Sequence, residues 1–292
     1  MNRLVVLMTA VGVSLTAVST LAIAATPADD CCSPEAIQKL ANAASFLDIV
    51  GVKLGMTPKE ASAALKAYNP NLQIDVINSR LVQPSSPGTF TKVPHYVVAH
   101  TVPWGTQKEK ESISLVFALP PSRPVLVTAT RYTMFAVGQP VLASTLVDAL
   151  HKKYGPEYAH QGQRIWVYDA SGKPLTGGSP TGENCAGLFR ADFEWDMSGF
   201  PDPTRDSGEV NLTTTQSGAS QPECAPFSFV RTTEVPSLIA PGTPVMQMSV
   251  TIGNGALIYG TNKATHDSLQ GGADAKAKQQ QNDASQRQAP KL

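Results

Sequence analysis

Twice along this chain an apolar period of 3.6 gives way to a period of 2, and both changes occur at the same kind of sequence. Lys66-Ala67-Tyr68-Asn69-Pro70 ends one helical pattern, and Lys152-Lys153-Tyr154-Gly155-Pro156 ends another. Before the first lies Thr57-Pro58-Lys59-Glu60: Thr57 can cap a helix, Pro58 suits its first position, and Glu60 can reach back to complete a capping box. Ala61, Ala64, Leu65 and Tyr68 then share one face. Before the second, Leu142, Leu146, Ala149, Leu150 and Lys153 mark a helix face, and Gly155 can take the left-handed conformation that closes it.

Strand patterns follow each helix. After the first come Leu72 to Val76, Tyr96 to Val102, Ile113 to Leu119 and Val125 to Phe135. After the second come Arg164 to Tyr168, Leu188 to Trp195, Val245 to Ile252 and Ala256 to Tyr259. A helix followed by an antiparallel meander is an α+β unit, not an alternating βαβ one. The chain therefore reads as two tandem copies of helices packed on a meander, over 25–137 and 138–261, the second interrupted by an insertion over about 172–236. A further helix starts at Ser33-Pro34-Glu35 and runs to about Ala44, burying Ile37, Leu40, Ala41 and Ala44.

The two ends of the chain are set apart from this plan. Arg3, the apolar run Leu4 to Leu21 and the small-x-small end Ala22-Ile23-Ala24 make residues 1–24 an export signal, against the alternative of a short membrane anchor. Asp29-Asp30 before Cys31 argues against lipid attachment there. The expected address is the periplasm of a Gram-negative cell or the medium beyond it. Residues 262–292, rich in Gln, Ala, Lys and Asp and without an aromatic residue, read as a solvated, disordered tail, with a short helix over Ala273–Gln281 as the alternative.

In an oxidising compartment the four cysteines should pair. Adjacent Cys31 and Cys32 would close a strained ring. Cys185 and Cys224 bracket a stretch poor in core-forming residues, where closing ~40 residues removes roughly 4 kcal/mol of unfolded-state freedom on the chain-entropy model. Cys185–Cys224 is the expected bond, with Cys31 and Cys32 a separate pair or intermolecular; the rival joins the N-terminal pair to Cys185 and Cys224.

Function is the least constrained. Of 292 residues 42% are apolar, which excludes wholesale disorder, and 23 basic residues balance 23 acidic ones, which removes the electrostatic means of holding a phosphate backbone. His95, His100, His151, His160 and His266 lack partners at metal-ligand spacing, so neither a metal nor a cofactor is expected. No nucleophile elbow or phosphate loop is present. Asp192, Glu194 and Asp196 alternate with Phe193 and Trp195, which reads either as a half-buried strand or, with Asp192 and Glu194 as the acids, as the site of an envelope-acting hydrolase. Trp104, Trp166, Tyr168 and Tyr158, with Tyr132 and Trp195, are candidates for an aromatic binding face.

One stretch carries a resemblance. Gly51-Val52-Lys53-Leu54-Gly55-Met56-Thr57-Pro58-Lys59-Glu60-Ala61 resembles the turn into a capped helix of the small outer-membrane assembly lipoproteins and the wider β-lactamase-inhibitor-protein-like fold. The chain departs from those lipoproteins in lacking an acylated cysteine and in having two units. The resemblance implies helices packed on an antiparallel sheet, a module that binds another protein through its exposed sheet face and loops, and structural roles for Gly55 and Thr57. The resulting expectation is an exported, non-catalytic inhibitor, escort or recognition factor; the alternatives are the hydrolase and a structural part of a secretion or surface assembly.

Overall fold

Local sequence chemistry builds the helices, and pairing gathers the strands into one sheet. The computed structural model describes residues 34–82, 90–101, 110–136, 138–160, 164–176, 209–210, 227–235 and 242–286. Helix α1 (Pro34–Ala44) is followed by a short hairpin, β1 (Asp48–Ile49) and β2 (Val52–Lys53), and by α2 (Pro58–Tyr68). The capping box forms at the start of α2: the Thr57 hydroxyl accepts from the Glu60 amide and the Glu60 carboxylate accepts from the Thr57 amide at 2.8 Å. The Thr57 amide, and after it the Thr57 hydroxyl donating to the same oxygen at 2.8 Å, hold the Glu60 carboxyl below its ordinary pKa. Asn69 ends the helix.

Four strands follow in order: β3 (Gln73–Val82), β4 (Phe90–His100), β5 (Lys110–Phe117) and β6 (Leu126–Met134). Then come β7 (Val141–Leu142), α3 (Ala143–Tyr154), β8 (Ala159–His160), β9 (Arg164–Tyr168), β10 (Glu209–Val210), β11 (Ser228–Val235), β12 (Pro244–Val245), β13 (Gln247–Asn254) and α4 (Gly255–Gln286). Nine of the strands form one sheet in the order β10-β3-β4-β5-β6-β13-β11-β9-β8. β3 to β6 make one antiparallel meander and β8, β9, β11 and β13 a second, joined by antiparallel pairing of their last strands, β6 and β13. Among the described strands only β10, against β3, is parallel. The molecule is α+β.

The core follows from strand register. Val97, Leu115, Ala129, Ile252, Val230 and Trp166 lie side by side across six strands, each at most 1% exposed. Alternation puts all six on one face. Ile37 and Ala41 of α1, Leu65 of α2, and Leu150 and Tyr154 of α3 close over it in the same apolar cluster. Each of the larger aliphatic side chains contributes about 1.5–3 kcal/mol by leaving water.

Gly55 locks α1 to this layer. Its amide donates to the Leu126 carbonyl, and the Leu126 amide donates to that of Met56, both at 2.8 Å. Its φ is +84°, and a Cβ there would stand 2.7 Å from Ala41 Cβ and 2.8 Å from the Ala41 carbonyl oxygen. Gly55→Ala should cost about 2 kcal/mol, left-handed strain plus displacement of α1, read as a lowered urea midpoint. An unchanged midpoint would show that α1 is not seated against the turn.

Several expectations give way to the tertiary structure. β11 lies inside the stretch read as an insertion over 172–236, yet it is an interior strand between β9 and β13. Its alternating Phe229 and Arg231 share a face with neighbours that no inspection of the segment alone reveals. The run Ala256–Tyr259, read as a strand, is the first turn of α4: the Asn254 side chain accepts from the Leu257 amide at 2.8 Å and so caps the helix. A short apolar run fits either element, and the cap decides. Residues 262–286, read as a disordered tail, continue α4. Thr261 and Thr265 are buried, and the exposed side of the helix carries i,i+4 pairs, Lys263–Asp267, Gln270–Asp274 and Gln279–Asp283. The stretches 25–137 and 138–261 both contribute strands to the nine-stranded sheet, while β7, just past the boundary, pairs with β12 outside it. Among the described residues no helix is long and apolar enough to cross a membrane.

Candidate functional site

The face of the sheet opposite α2 and α3 carries hydroxyls over β5, β6 and β13, beside the buried Val98, Val116 and Val167. Alternation from the core row places Ser114, Thr130, Thr251 and Arg231 there, in register across β5, β6, β13 and β11. The parallel row two residues along is His100, Ser112, Tyr132, Ser249 and Thr233. Ser112 and Thr251 are buried, as is the hydroxyl oxygen of Ser114, and the other side chains are partly exposed. Thr130 and Thr251 hydrogen-bond through their hydroxyls at 3.0 Å, and the Tyr132 hydroxyl donates to Gln247. Asp75 lies 3.4 Å from His100 at the β3 side of this face. At one end the face is apolar: Phe229 is fully buried, and its ring lies where a Cβ on Gly253, its partner across the ladder, would stand at 2.5 Å.

Charged side chains elsewhere act as ties between elements. On the helix face Glu111, 6% exposed, accepts from Arg131 Nε and, at 3.0 Å, from the Tyr68 hydroxyl, which itself accepts from Arg131 at 3.1 Å. This joins α2 to β5 and β6. Lys153 of α3 donates to the Asp48 carbonyl at 3.0 Å, joining α3 to the hairpin, and Arg164 meets Glu157 at 2.6 Å. Such pairs orient elements more than they stabilise them.

One pairing has the composition of a nucleophile and its base. Ser79 Oγ and His95 Nδ1 are 2.8 Å apart where a bulge between Ile77 and Asn78 offsets β3 from β4. Ser79 has no exposure, and burial lowers the His95 pKa from 6.5 to about 4. The imidazole is neutral at pH 7, and its contact with the unexposed Ser79 hydroxyl ties β3 to β4. The same region pushes Tyr96 up to about 12, again by burial. Among the described residues no group of three or more His, Cys, Asp or Glu side chains could hold a metal.

The sequence candidates divide sharply. Trp166 is 1% and Tyr168 5% exposed, so neither belongs to a binding face. Trp166 Nε1 donates to the Gly155 carbonyl at 2.8 Å and Tyr168 donates to that of Tyr154 at 2.6 Å; both fasten the end of α3 to β9. Burial raises the Tyr168 and Tyr154 pKa values, with Asp48 adding to the second. Tyr158 is partly buried against the main core. Gly155 closes α3 at φ +81°, and its amide donates to the His151 carbonyl at 2.8 Å. Trp104, Trp195, Cys31, Cys32, Cys185, Cys224, Asp192, Glu194 and Asp196 lie outside the described residues. The hydroxyl rows and the Glu111–Arg131–Tyr68 tie escaped sequence reading because each depends on register between strands. Alternating Ser and Thr in Ser112-Ile113-Ser114 and Thr128-Ala129-Thr130 is the one local signal for the polar face.

Comparison with protein-family models, with curated proteins and with solved structures yields no match.

Proposed function

We propose that this is an exported, non-catalytic protein-binding module, held in the periplasm or released from the cell, whose partner meets the hydroxyl face of the sheet. The observation that carries this reading is the pair of in-register rows running from Ser114 to Arg231 and from His100 to Thr233. The part-exposed hydroxyls of these rows, on Thr130, Tyr132, Ser249 and Thr233, offer donors and acceptors at little side-chain entropy cost. The pairing of β6 with β13 supports a duplicated helix-plus-meander unit, because it places matching strands on either side of one seam. An export signal over 1–24 and a Cys185–Cys224 bond complete the proposal.

Envelope extract passed over the immobilised chain under non-reducing conditions tests it. One protein retained in stoichiometric amount, and lost on Thr130→Arg with Ser249→Arg while the fold is kept, is the expected result. Recovery of nothing specific, or of a protein indifferent to those two changes, would overturn the reading.

A further inference from the structure

A sheet ends in strands whose outer backbone groups are unpaired, and at one end here the last strand is very short. β10 has two residues, and it pairs with only Arg80 and Leu81 of the ten-residue β3. It lies between β9 and β11 in sequence, yet five strands separate it from β11 in the sheet. A segment remote from β3 thus already adds to its edge, in the parallel sense, which pairs less strongly per residue. Among the described residues no strand pairs with Gln73–Ile77 on that side, and the bulge between Ile77 and Asn78 divides this stretch from the part that β10 occupies.

The bare stretch lacks the features that blunt an edge. It contains no Lys, Arg or Pro. Its one charge, Asp75, is held by its own sheet: the carboxylate accepts from Gln73 at 3.3 Å and lies 3.4 Å from His100. Val76, on the helix face, is 57% exposed, where Val97 opposite it on β4 is 1% exposed. Alternate residues of the stretch turn amide and carbonyl away from β4.

We infer that Gln73–Ile77 is a strand-acceptor site, to which the partner protein adds an extended segment in line with β10. This rests on the binding-module reading above and says how the partner attaches. The chemistry of the segment follows from the two faces of β3. Apolar β-branched residues pack beside Ile74 and Val76, and hydroxyl or basic residues stand beside Gln73 and Asp75. The added strand prolongs the hydroxyl rows, since Gln73 is opposite His100, and Asp75 is opposite Val98, which pairs with Ser114. Main-chain hydrogen bonds supply the affinity and the alternating side chains the specificity. A second copy of the chain fits less well. Pairing β3 with itself about the middle of the stretch sets two Asp75 carboxylates directly opposite each other.

Titration of the exported chain with the synthetic peptide Lys-Thr-Val-Thr-Val-Thr-Val-Lys, which has that alternation, tests this. The expected result is saturable binding, with Kd on the order of 0.1 mM, and slowed hydrogen exchange at alternate amides within Gln73–Ile77. Val76→Lys removes the apolar contact and charges the edge, so binding should weaken roughly tenfold. The urea midpoint of that variant should hold, because the side chain is exposed, which separates lost binding from lost folding. No binding, binding without protection at Gln73–Ile77, or binding indifferent to Val76→Lys would overturn the inference. So would a dimer of the free chain that is lost in the same variant. The peptide replaces the envelope partner, so the two readings fail separately. A bound peptide with no partner recovered removes the function above and keeps the acceptor edge, and a recovered partner with no bound peptide does the reverse.

Discussion

Between pH 7 and pH 4 the protein should lose about 3 kcal/mol of stability through His95 alone. The imidazole titrates at about 4 in the folded chain against 6.5 when free, because burial beside Ser79 and Tyr96 removes the water that would solvate its charge. Between those values the unfolded chain binds a proton that the folded chain does not. Stability is therefore complete above pH 6.5, falls as pH drops through the window, and reaches its full loss below pH 4. Urea unfolding of the protein and of His95→Gln at both pH values isolates the contribution, since the carboxylates are common to the two. The variant should show the shallower dependence by about 3 kcal/mol. Equal slopes would mean that His95 is solvated and that β3 and β4 do not enclose it.

Replacing Trp166 with alanine should cost about 3–5 kcal/mol. Among the described residues the side chain is the largest of those fully buried. It occupies one end of the row that begins at Val97, lies 5.8 Å from the Tyr154 ring, and donates to the Gly155 carbonyl at 2.8 Å. Truncation leaves a cavity under α3 and a carbonyl without its donor. Trp166→Phe should cost less, since it fills most of the volume and loses only the hydrogen bond. Calorimetric or urea unfolding reads both. A near-neutral Trp166→Ala would mean that the ring stands on the surface, as an aromatic binding face requires, and that α3 is held by other contacts.

These two residues mark the limits of reading the chain by itself. Trp166 and His95 were both visible as chemically notable side chains, yet neither the burial of one nor the partner of the other is a local property. Aromatic residues on alternating strands suit a core or a binding face equally, and the choice depends on which face the helices cover. Ser79 and His95 meet only because β3 and β4 pair with an offset, and Glu111, Arg131 and Tyr68 meet only because β5 and β6 pair under α2.

What the sequence by itself determined is the set of elements whose cause is local. The capping box at Thr57 and Glu60, the stop at Asn69, the close of α3 at Gly155 and the alternating strands from β3 to β6 arise from hydrogen bonds and periodicities within a few residues. The α+β class follows from their order. Only the tertiary structure decided that the two meanders share one sheet through β6 and β13, that β11 stands inside it, and that Ala256–Tyr259 opens a helix. Strand pairing is a long-range choice among many edges of similar composition, and a short apolar run adopts whichever form its packing and its cap favour.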